Sequence, residues 1–291
     1  MKVCAGIIGM GVGKKHFEAI EGYKKSYVKT ICEKNTTLIR ILKNKFPNKI
    51  ITTNENDIFN DKEINLVSIA SYDENHYSQV CKSLSANKHV IVEKPMCLKI
   101  RDAKKIVQLS KQYKTKVFVV MQNKFNLPVL KLRKDIRKGY FGRLIHGSVI
   151  VRWKRDRSYY NQAKWRGTWK LDGGVVSNQA SHHLDLMRSI MGEPISVYAK
   201  GFNHLSGTET EDTALIIFKF KNGKTGLMEA TTAMRPFDVE GSFSLMGTKG
   251  SAKVGGFALN EISYLHLEKK SNNNRFKTNP KNVYGYGHIE F

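Results

Sequence analysis

The sequence contains little cysteine and little proline. Its 291 residues include four cysteines and six prolines. Cys4, Cys32, Cys81 and Cys97 form no CxxC pair and have no zinc-ligand spacing, which argues against a disulfide framework and indicates reduced thiols in a cytoplasmic protein. No apolar run approaches the roughly 20 residues that a transmembrane helix requires. Strand-like sequence already begins at Val3, so no signal peptide is expected.

Acidic residues are also scarce. The sequence has 25 Asp and Glu against 49 Lys and Arg, which gives a formal net charge of +24. Such a charge suits a polyanionic partner, whether nucleic acid, an anionic membrane surface or a phosphorylated substrate. The lysines, however, are scattered along the whole chain, although residues 152–157 are locally dense. We therefore favour a solvated, lysine-rich surface and expect neither nucleic acid nor a membrane as a partner.

Two different patterns of strands and helices divide the chain. Strand-like runs at residues 2–9, 27–32, 66–70, 89–92 and 117–121 alternate with helix-like segments, which predicts a parallel sheet. Beyond them, strand-like segments follow one another with few helices, at residues 145–153, 196–202, 214–221, 224–230 and 243–247. We predict an α/β chain with a parallel-sheet domain over residues 1–121 and an α+β domain with an open, mainly antiparallel sheet over residues 122–291.

Local signals add detail to the second half. Asn222-Gly223 lies between two strand-like runs and predicts a hairpin with a type I′ turn, because both residues tolerate positive φ. Residues 177–191 have helical spacing. The polar, Asn-rich stretch 271–281 predicts a surface loop.

A glycine-rich turn follows the first predicted strand. Gly9, Gly11 and Gly13 are spaced one residue more tightly than in the usual GxGxxG pattern. Glycines let the backbone approach a pyrophosphate, and the next helix offers that anion its free N–H groups. The alternative is an ordinary glycine turn, but the position between the first strand and the first helix favours a dinucleotide site.

Glu33 stands at the end of the second predicted strand, about 20 positions after the glycines, where a dinucleotide-binding domain places the acidic residue that contacts the adenosine ribose. A carboxylate there repels a 2′-phosphate, so NAD is favoured as the cofactor. Lys34 beside it leaves NADP open, and an exposed charge at a strand end is the simpler alternative.

The strand-like run 89–92 ends in Glu93-Lys94-Pro95. In open parallel sheets the carboxyl ends of the strands face the ligand crevice, so Lys94 would point toward the nicotinamide. The proline biases Lys94 away from helical geometry and stiffens this position. We interpret Lys94 as an acid–base residue, with a surface lysine at a strand end as the alternative.

Residues 66–70, His76, residues 88–90 and Glu93-Lys94-Pro95 together resemble the glucose–fructose oxidoreductase/inositol dehydrogenase family. The resemblance implies an NAD-binding Rossmann domain and a C-terminal α+β domain whose open sheet often mediates oligomers. It also implies that Lys94 contacts substrate and assists proton transfer. Tyr72 stands where this family usually has a proline, which implies a changed loop wall over the nicotinamide.

The stretch 172–185 carries the second half of the expected site. The family pattern has Asp, then His four residues later, then Asp three residues after that, and this chain has Asn178, His182 and Asp185 at these positions. Because Asn178 is no base, His182 becomes the expected proton acceptor beside Lys94. Adjacent residues such as His182 and His183 point about 100° apart on a helix, so no metal site is expected.

Further motifs narrow the resemblance. The short glycine loop, residues 122–124, 159–160 and 165–169, and Asn178-Gln179 look like the UDP-N-acetyl-glucosaminuronate 3-dehydrogenases of bacterial surface polysaccharide synthesis. This implies NAD-dependent oxidation at C3 of a UDP-N-acetyl-hexuronate, and a homo-oligomer, dimer or tetramer, formed through the C-terminal sheet. The alternatives are a dehydrogenase of a free sugar or inositol, or a truncated, non-catalytic nucleotide-binding homologue, since relatives continue beyond residue 291.

These patterns and resemblances assign residues to three roles. The expected catalytic residues are Lys94 and His182. The expected cofactor contacts are Gly9, Gly11, Val12, Gly13, Glu33, Ala70, Ser71, Tyr72, His76, Glu93, Gln122, Trp165 and Arg166. The expected substrate contacts are Lys94, Asn123, Tyr160, Arg166, Asn178, Gln179 and His182, while Arg152, Arg155 or Arg157 would meet a diphosphate or carboxylate.

Overall fold

A computed structural model of the chain describes residues 2–205, 207–256, 259–268, 276–277 and 287–291. It divides into two compact units, Met1–Val120 and Met121–Phe291. None of the helices in these described ranges combines the length and the apolar character that crossing a membrane requires.

The first unit alternates strands with helices along its whole length. Its elements are β1 (Val3–Ile8), α1 (Gly13–Gly22), β2 (Ser26–Cys32), α2 (Thr36–Lys45), β3 (Ile50–Thr52), α3 (Asn56–Phe59), β4 (Leu66–Ile69), α4 (Asp73–Ser85), β5 (His89–Val92), α5 (Ile100–Gln112) and β6 (Val117–Val119). The strands form one sheet in the order β3-β2-β1-β4-β5-β6, and each pair of neighbours is parallel. The predicted parallel sheet is confirmed. The short β3 and α3 have no strong pattern in the sequence and were not predicted.

Both faces of this sheet are covered by helices. Successive residues of β1 point to opposite faces, so Ile7 joins one apolar cluster and Ile8 joins another. The first cluster includes Ile20 of α1 and Leu42 of α2, and the second includes side chains of α3, α4 and α5. The strand order reverses between β1 and β4, and in such sheets the ligand crevice lies at the carboxyl ends of the strands flanking this point.

The second unit is built on one large mixed sheet. Its elements are a 3-10 turn (Gln122–Phe125), α6 (Leu127–Arg137), β7 (Leu144–Arg152), α7 (Arg157–Asn161), a π-helical turn (Val175–Gln179), α8 (Ser181–Met191), β8 (Pro194–Phe202), β9 (Thr213–Phe220), β10 (Thr225–Thr231), β11 (Glu240–Gly247), β12 (Gly250–Gly255), β13 (Glu261–Leu267), β14 (Phe276–Lys277) and α9 (Gly287–Glu290). The strand order is β14-β13-β12-β11-β7-β10-β9-β8. Only the β7–β10 pair is parallel among the paired strands of the described residues, so the mainly antiparallel sheet is confirmed.

One face of this sheet is buried and the other is open. Along β9 and β10, buried residues alternate with exposed ones, as expected for a strand with one face on a core. The buried face packs against α6 and α8, with Phe243 of β11 and Met187 of α8 both fully buried in the same cluster. An open sheet face is therefore present, as predicted.

Two local predictions have different outcomes. The Asn222-Gly223 hairpin is confirmed, since both residues have positive φ and join the antiparallel β9 and β10. The helix predicted for residues 177–191 begins only at Ser181, because Gly173 and Gly174, both at positive φ, lead into the π-helical turn instead. The predicted loop at residues 271–281 lies outside the described residues, apart from Phe276–Lys277, which pairs with β13.

Candidate functional site

A pocket of about 200 Å³ lies in the first unit, among the loops that follow β1, β2 and β4. Six of the predicted cofactor residues line it: Gly9, Gly11, Glu33, Ala70, Ser71 and Tyr72. The rest of its wall consists of Ile8, Met10, Cys32, Lys34, Glu55, Asn75 and Gln79. The pocket thus sits where the order of the parallel sheet reverses.

Glycine stands at each of the three positions of the turn for a different structural reason. Gly9 has φ +86°, and a Cβ on it would lie 2.5 Å from the carbonyl oxygen of Ala70. A Cβ on Gly11 would meet nothing within 4 Å, so this residue exposes bare backbone. Gly13 begins α1, and its Cβ would come within 3.3 Å of the Cβ of Ala70. The turn therefore brings β1, β4 and the start of α1 together and leaves Gly11 open to a ligand.

Glu33 organises the floor of the pocket through backbone donors. Its carboxylate accepts the N–H of Met10 at 2.8 Å and the N–H groups of Lys34 and Asn35 at 2.8 and 2.9 Å. Asn35 in turn caps α2 by accepting the N–H of Leu38 at 3.0 Å. The acidic residue predicted from its spacing thus joins the glycine turn to the start of α2, and it is one of the residues that line the pocket.

A polar chain runs along the pocket wall from Ser71, which was predicted, to residues that the sequence analysis missed. Ser71 donates to the side chain of Gln79 at 2.6 Å, Gln79 donates to Glu55 at 2.8 Å, and Lys82 pairs with Glu55 at 2.6 Å. Burial acts to raise the pKa of Glu55, but the hydrogen bonds from Lys82 and Gln79 hold it below its ordinary value. Asn75 and Gln79 are one helical turn apart at the start of α4, and this spacing directly after a predicted crevice strand was the available signal.

A second buried chain lies under the start of α1. The ring nitrogens of His16 lie 2.7 Å from the hydroxyl of Ser68 and 3.1 Å from the carboxylate of Glu93. Glu93 also accepts the backbone N–H of Lys94 at 3.2 Å. Glu93, predicted as a cofactor contact, is therefore buried and ties α1 and β4 to the residue that follows it. His16 and Ser68 were not predicted, because neither belongs to a recognisable motif.

Two other predicted cofactor residues, His76 and Val12, are not among the residues that line this pocket. His76 is fully buried, and its ring nitrogens lie 2.8 Å from the carbonyl of Pro95 and 3.2 Å from the carbonyl of Ser71. It therefore connects the loops that contain Ser71 and Pro95, and both of its ring nitrogens lie against backbone carbonyls. Val12 is exposed and precedes α1 without lining the pocket.

Burial raises the pKa of Cys32, which does line the pocket, to about 11.

The residues predicted for the substrate side belong to the second unit, apart from Lys94. His182 and Asp185 lie one turn apart on α8, and Asp185 pairs with Lys124 at 2.8 Å. His182 is half-buried. His183 points into the core and rests against Trp153, and burial lowers its pKa to about 4, so its ring is neutral. The two neighbouring histidines therefore face different surroundings.

A cluster of aromatic, amide and guanidinium groups surrounds Gln179. Its amide donates to the hydroxyl of Tyr159 at 3.0 Å and accepts from Arg155 at 3.2 Å. The Arg166 guanidinium lies 4.1 Å from the ring centroid of Tyr159 and donates to its backbone carbonyl at 2.8 Å. Trp165 packs on the same guanidinium, 5.5 Å away. The structure thus brings Trp165, Arg166 and Gln179 together around Tyr159.

Tyr160 is not part of this cluster surface. Its side chain is buried and its hydroxyl lies 3.1 Å from that of Thr232, whereas Tyr159 is half-buried, so a substrate contact by Tyr160 stays a prediction. Asn178 is buried and donates to Asp172, which also accepts the N–H of Gly167 at 2.6 Å. Gln122 and Asn123 are buried in the 3-10 turn. Asp172 is a positioning residue that was not singled out from the sequence.

The three candidate arginines have different partners. Arg152 forms a bidentate pair with Glu229, at 2.6 and 2.8 Å, so it is engaged on the open face of the sheet and not free for an anion. Arg155 pairs with Asp238 at 3.1 Å beside Gln179. Arg157 is exposed at the start of α7. Only Arg155 belongs to the cluster around Gln179.

The residues of the first pocket fit a dinucleotide. Gly11 offers bare backbone at the start of a helix, where a pyrophosphate binds through N–H groups. Glu33 lines the same pocket, and a carboxylate is a group that accepts hydrogen bonds from ribose hydroxyls. An adenosine diphosphate half therefore has both of its polar recognition partners in this unit.

Two family descriptions match the chain. Residues 3–121 match an oxidoreductase family with an NAD-binding Rossmann fold, and residues 129–253 match the GFO/IDH/MocA C-terminal domain. Among curated relatives is the myo-inositol 2-dehydrogenase of Thermotoga maritima, which is 23% identical over 251 residues, or 84% of this chain and 73% of the relative.

Solved structures extend the likeness. The WlbA dehydrogenase of Bordetella pertussis, in complex with NADH and UDP-GlcNAcA, is 31% identical with a TM-score of 0.85 and covers 92% of this chain and 82% of its own. The WlbA dehydrogenase of Chromobacterium violaceum, also in complex with NADH and UDP-GlcNAcA, is 30% identical with a TM-score of 0.86. The match covers 92% of this chain and 78% of that one. The chain therefore belongs to the GFO/IDH/MocA family of oxidoreductases, and its first unit is an NAD-binding Rossmann domain.

Proposed function

We propose that the chain oxidises a ring hydroxyl of a nucleotide sugar, at C3 of a UDP-N-acetyl-hexuronate, with NAD as the electron acceptor. The observation that carries the proposal is the likeness, over 92% of the chain, to two dehydrogenases whose structures hold NADH and UDP-GlcNAcA. A free cyclitol or sugar is the second candidate substrate, favoured by the relative that acts on myo-inositol.

The first unit holds the cofactor. When bound, NAD supplies the hydride acceptor. The backbone N–H of Gly11 and the first N–H groups of α1 bind the pyrophosphate, and the open space at Gly11 supports this assignment. The Glu33 carboxylate accepts hydrogen bonds from the adenosine ribose hydroxyls. Because it also repels a 2′-phosphate, NAD is the preferred dinucleotide. Tyr72, which is 67% exposed at the pocket mouth, covers the bound dinucleotide from one side.

Lys94 and His182 handle the proton of the reacting hydroxyl. The Lys94 ammonium donates a hydrogen bond to the hydroxyl oxygen, and the His182 imidazole accepts the hydroxyl proton as the carbon loses its hydride. Two contacts support fixed positions for these residues. Glu93 binds the backbone N–H of Lys94, and the Lys124–Asp185 pair anchors the first turns of α8 that carry His182.

The cluster around Gln179 binds the sugar and its anionic groups. The Arg166 guanidinium is held flat on Tyr159, which leaves a planar, permanently charged group suited to a carboxylate or diphosphate. The Gln179 amide, Asn123 and Asn178 supply hydrogen bonds to sugar hydroxyls. Gln122 and Trp165 complete the nicotinamide side of the site.

Production of NADH tests the proposal. The purified protein is given NAD with UDP-GlcNAcA, with free N-acetyl-glucosaminuronate or with myo-inositol, each in the presence and absence of 2-oxoglutarate to recycle NADH. Turnover with the UDP-sugar alone supports the proposal, and turnover confined to the free sugar or the cyclitol favours the second candidate. Calorimetric binding of UDP-GlcNAcA without any NADH formation would refute catalysis.

We further propose that copies of the chain associate through the open sheet face of the second unit and that the protein is cytoplasmic. The exposed apolar side chains of Leu215, Ile217, Leu227 and Met246 project from this face and support the association. All four cysteines are free thiols, which suits a reducing compartment.

A further inference from the structure

The outward side of α5 and the turn after it concentrate positive charge. Between residues 99 and 116 the chain has seven cationic side chains and a single acidic one, Asp102. Asp102 is only 16% exposed and pairs with Arg101 at 3.3 Å. The cationic residues, which we call the basic face, are all exposed: Lys99, Arg101, Lys104, Lys105, Lys111, Lys114 and Lys116.

The lysines of the basic face have no acidic partners. Within the described part of the chain, none of the six forms an ion pair with a carboxylate. Lys29 of β2, by contrast, pairs with both Asp61 and Glu63 at 2.7 Å. Like charges that lie close together repel one another, and negative charge brought against them relieves this repulsion. The basic face therefore fits an anionic partner.

Two apolar side chains stand among these charges. Ile100 is 79% exposed, more than any other large apolar side chain of the described residues, and Val107 is 51% exposed. Residues spaced by three or four lie above one another on a helix, so one stripe of α5 alternates apolar and ammonium groups, in the order Ile100, Lys104, Val107 and Lys111. On the opposite side of the helix, Ile106 is buried in an apolar cluster. The stripe therefore points away from the core.

We propose that the protein binds the surface of an anionic lipid bilayer through the basic face. Such a surface combines the two chemistries that the stripe presents, since anionic headgroups attract lysines and the boundary with the acyl chains accepts apolar side chains. Lys104 and Lys111 keep their ammonium groups at the headgroups, while Ile100 and Val107 lie deeper. At 13 residues, α5 is about 20 Å long and contacts several headgroups at once.

A nucleic acid would use the same charge differently. Its phosphates bind lysine and arginine, and its unpaired bases stack on aromatic rings or guanidinium planes. The basic face has one arginine, and the exposed apolar side chains of its stripe, Ile100 and Val107, are aliphatic. These groups suit the lipid boundary better than a base. We accordingly revise the expectation that no membrane is a partner, which rested on the scatter of lysines along the whole chain.

The basic face is separate from the proposed site of the reaction. None of its residues lines the pocket that contains Gly11 and Glu33. A variant that loses membrane binding should therefore keep its NADH production. A chain that binds bilayers but oxidises no sugar would leave the present proposal intact, so the two proposals can fail independently.

Cosedimentation of the full chain with lipid vesicles tests the proposal. One set of vesicles contains equal parts of phosphatidylglycerol and phosphatidylcholine, and the other contains phosphatidylcholine alone. The wild-type chain should sediment with the anionic vesicles only. Its binding should weaken as the salt concentration rises, because salt screens exposed charges. Titration of duplex DNA in the same buffers measures the competing class of polyanion.

A matched pair of lysine variants locates the surface. Lys104→Gln with Lys111→Gln should weaken binding to the anionic vesicles by about 10- to 100-fold, since each cation near such a surface adds to the attraction. Lys43→Gln with Lys45→Gln removes the same charge from exposed positions of α2, which packs on the other face of the parallel sheet. This control should bind like wild type. All four positions are exposed, so Tm should not change in either variant.

An apolar variant separates lipid from nucleic acid. Ile100→Ser with Val107→Ser should weaken vesicle binding by about 10-fold, because less apolar surface enters the bilayer, and should leave DNA binding unchanged. The proposal is overturned if the wild-type chain fails to sediment with anionic vesicles at low salt, or if the α2 variant loses as much binding as the α5 variant. It is also overturned if DNA binds more tightly than the vesicles and the serine substitutions affect neither.

Discussion

The carboxylate of Glu33 accepts the backbone N–H of Met10 at 2.8 Å, so the acidic residue at the end of β2 holds the middle of the glycine turn. Two loops that are distant in sequence thus form one binding surface. A change at Glu33 therefore acts on the cofactor in two ways, through its own hydrogen bonds and through the shape of the turn.

Glu33→Gln should weaken NAD binding by about 10- to 100-fold, because hydrogen bonds to a charged group are lost. The same variant should narrow the preference for NAD over NADP, since the repulsive carboxylate is gone. Calorimetric titration with each dinucleotide measures both effects. Glu63→Gln removes an exposed carboxylate of the same unit that pairs with Lys29, and it should leave NAD affinity unchanged. Equal affinities in wild type and Glu33→Gln would contradict the assignment.

The glycines provide a matched pair. Gly9→Ala should lower the free energy of unfolding by at least about 2 kcal/mol, since the new Cβ meets the Ala70 carbonyl and the backbone is at positive φ. Gly11→Ala has open space for its Cβ, so its Tm should match that of wild type while its NAD affinity falls. Thermal unfolding with and without NAD separates the two cases. Equal loss of Tm in both variants would contradict the proposed geometry.

Lys94→Ala and His182→Ala should each lower kcat by about 100-fold or more, because each removes a group that handles the hydroxyl proton. NAD affinity should change little in His182→Ala. Steady-state kinetics with UDP-GlcNAcA, together with NAD titration, gives both numbers. His204→Ala, an exposed histidine of the second unit, is the control. Undiminished turnover in either variant would remove that residue from the mechanism.

Tyr159 and Tyr160 are neighbours with opposite expected effects. Tyr160→Phe should lower the free energy of unfolding by about 1 kcal/mol, because its buried hydroxyl bonds to Thr232, and should leave KM unchanged. Tyr159→Phe frees the Gln179 amide and should raise the KM of the sugar substrate with little change in Tm. Measuring Tm and KM for both variants checks these two expectations. A raised KM in Tyr160→Phe would contradict the first of them.

His183 predicts a pH dependence of stability. Burial lowers its pKa from 6.5 to about 4, so the unfolded chain binds a proton in this window while the folded chain does not. The stabilisation is fully present above pH 6.5 and is lost as the pH falls toward 4, a change of roughly 3 kcal/mol. Urea unfolding at several pH values measures it. His183→Leu should flatten the slope, whereas the exposed His266→Gln should keep it.

The parts of the molecule that the sequence predicts best are those encoded by local pattern. The glycines, Glu33 and the strand before Lys94 lie in a strand–turn–helix alternation, and Gly9, Gly11 and Glu33 line the pocket. The Asn222-Gly223 turn is equally local. In each case the residue types at a few neighbouring positions are enough to predict the local backbone conformation.

The missed features depend on contacts between distant segments. Tyr159 and Tyr160 are adjacent and chemically alike, and only the position of Thr232 decides which hydroxyl is buried. The engagement of Arg152 depends on Glu229, which lies far along the chain. His16 meets Ser68 and Glu93 only after three strands of the sheet have assembled. No spacing rule contains such information.

The parallel pairing of β7 with β10 has a consequence for how the second unit is made. β7 ends at Arg152, but its two neighbours in the sheet begin only at Thr225 and Glu240. During synthesis on the ribosome, the central strand therefore emerges long before either neighbour exists, and the β9–β10 and β11–β12 hairpins form as local units before they can enclose it. A nascent chain that ends before Thr225 therefore exposes the apolar side chains of β7 without either of its neighbours in the sheet.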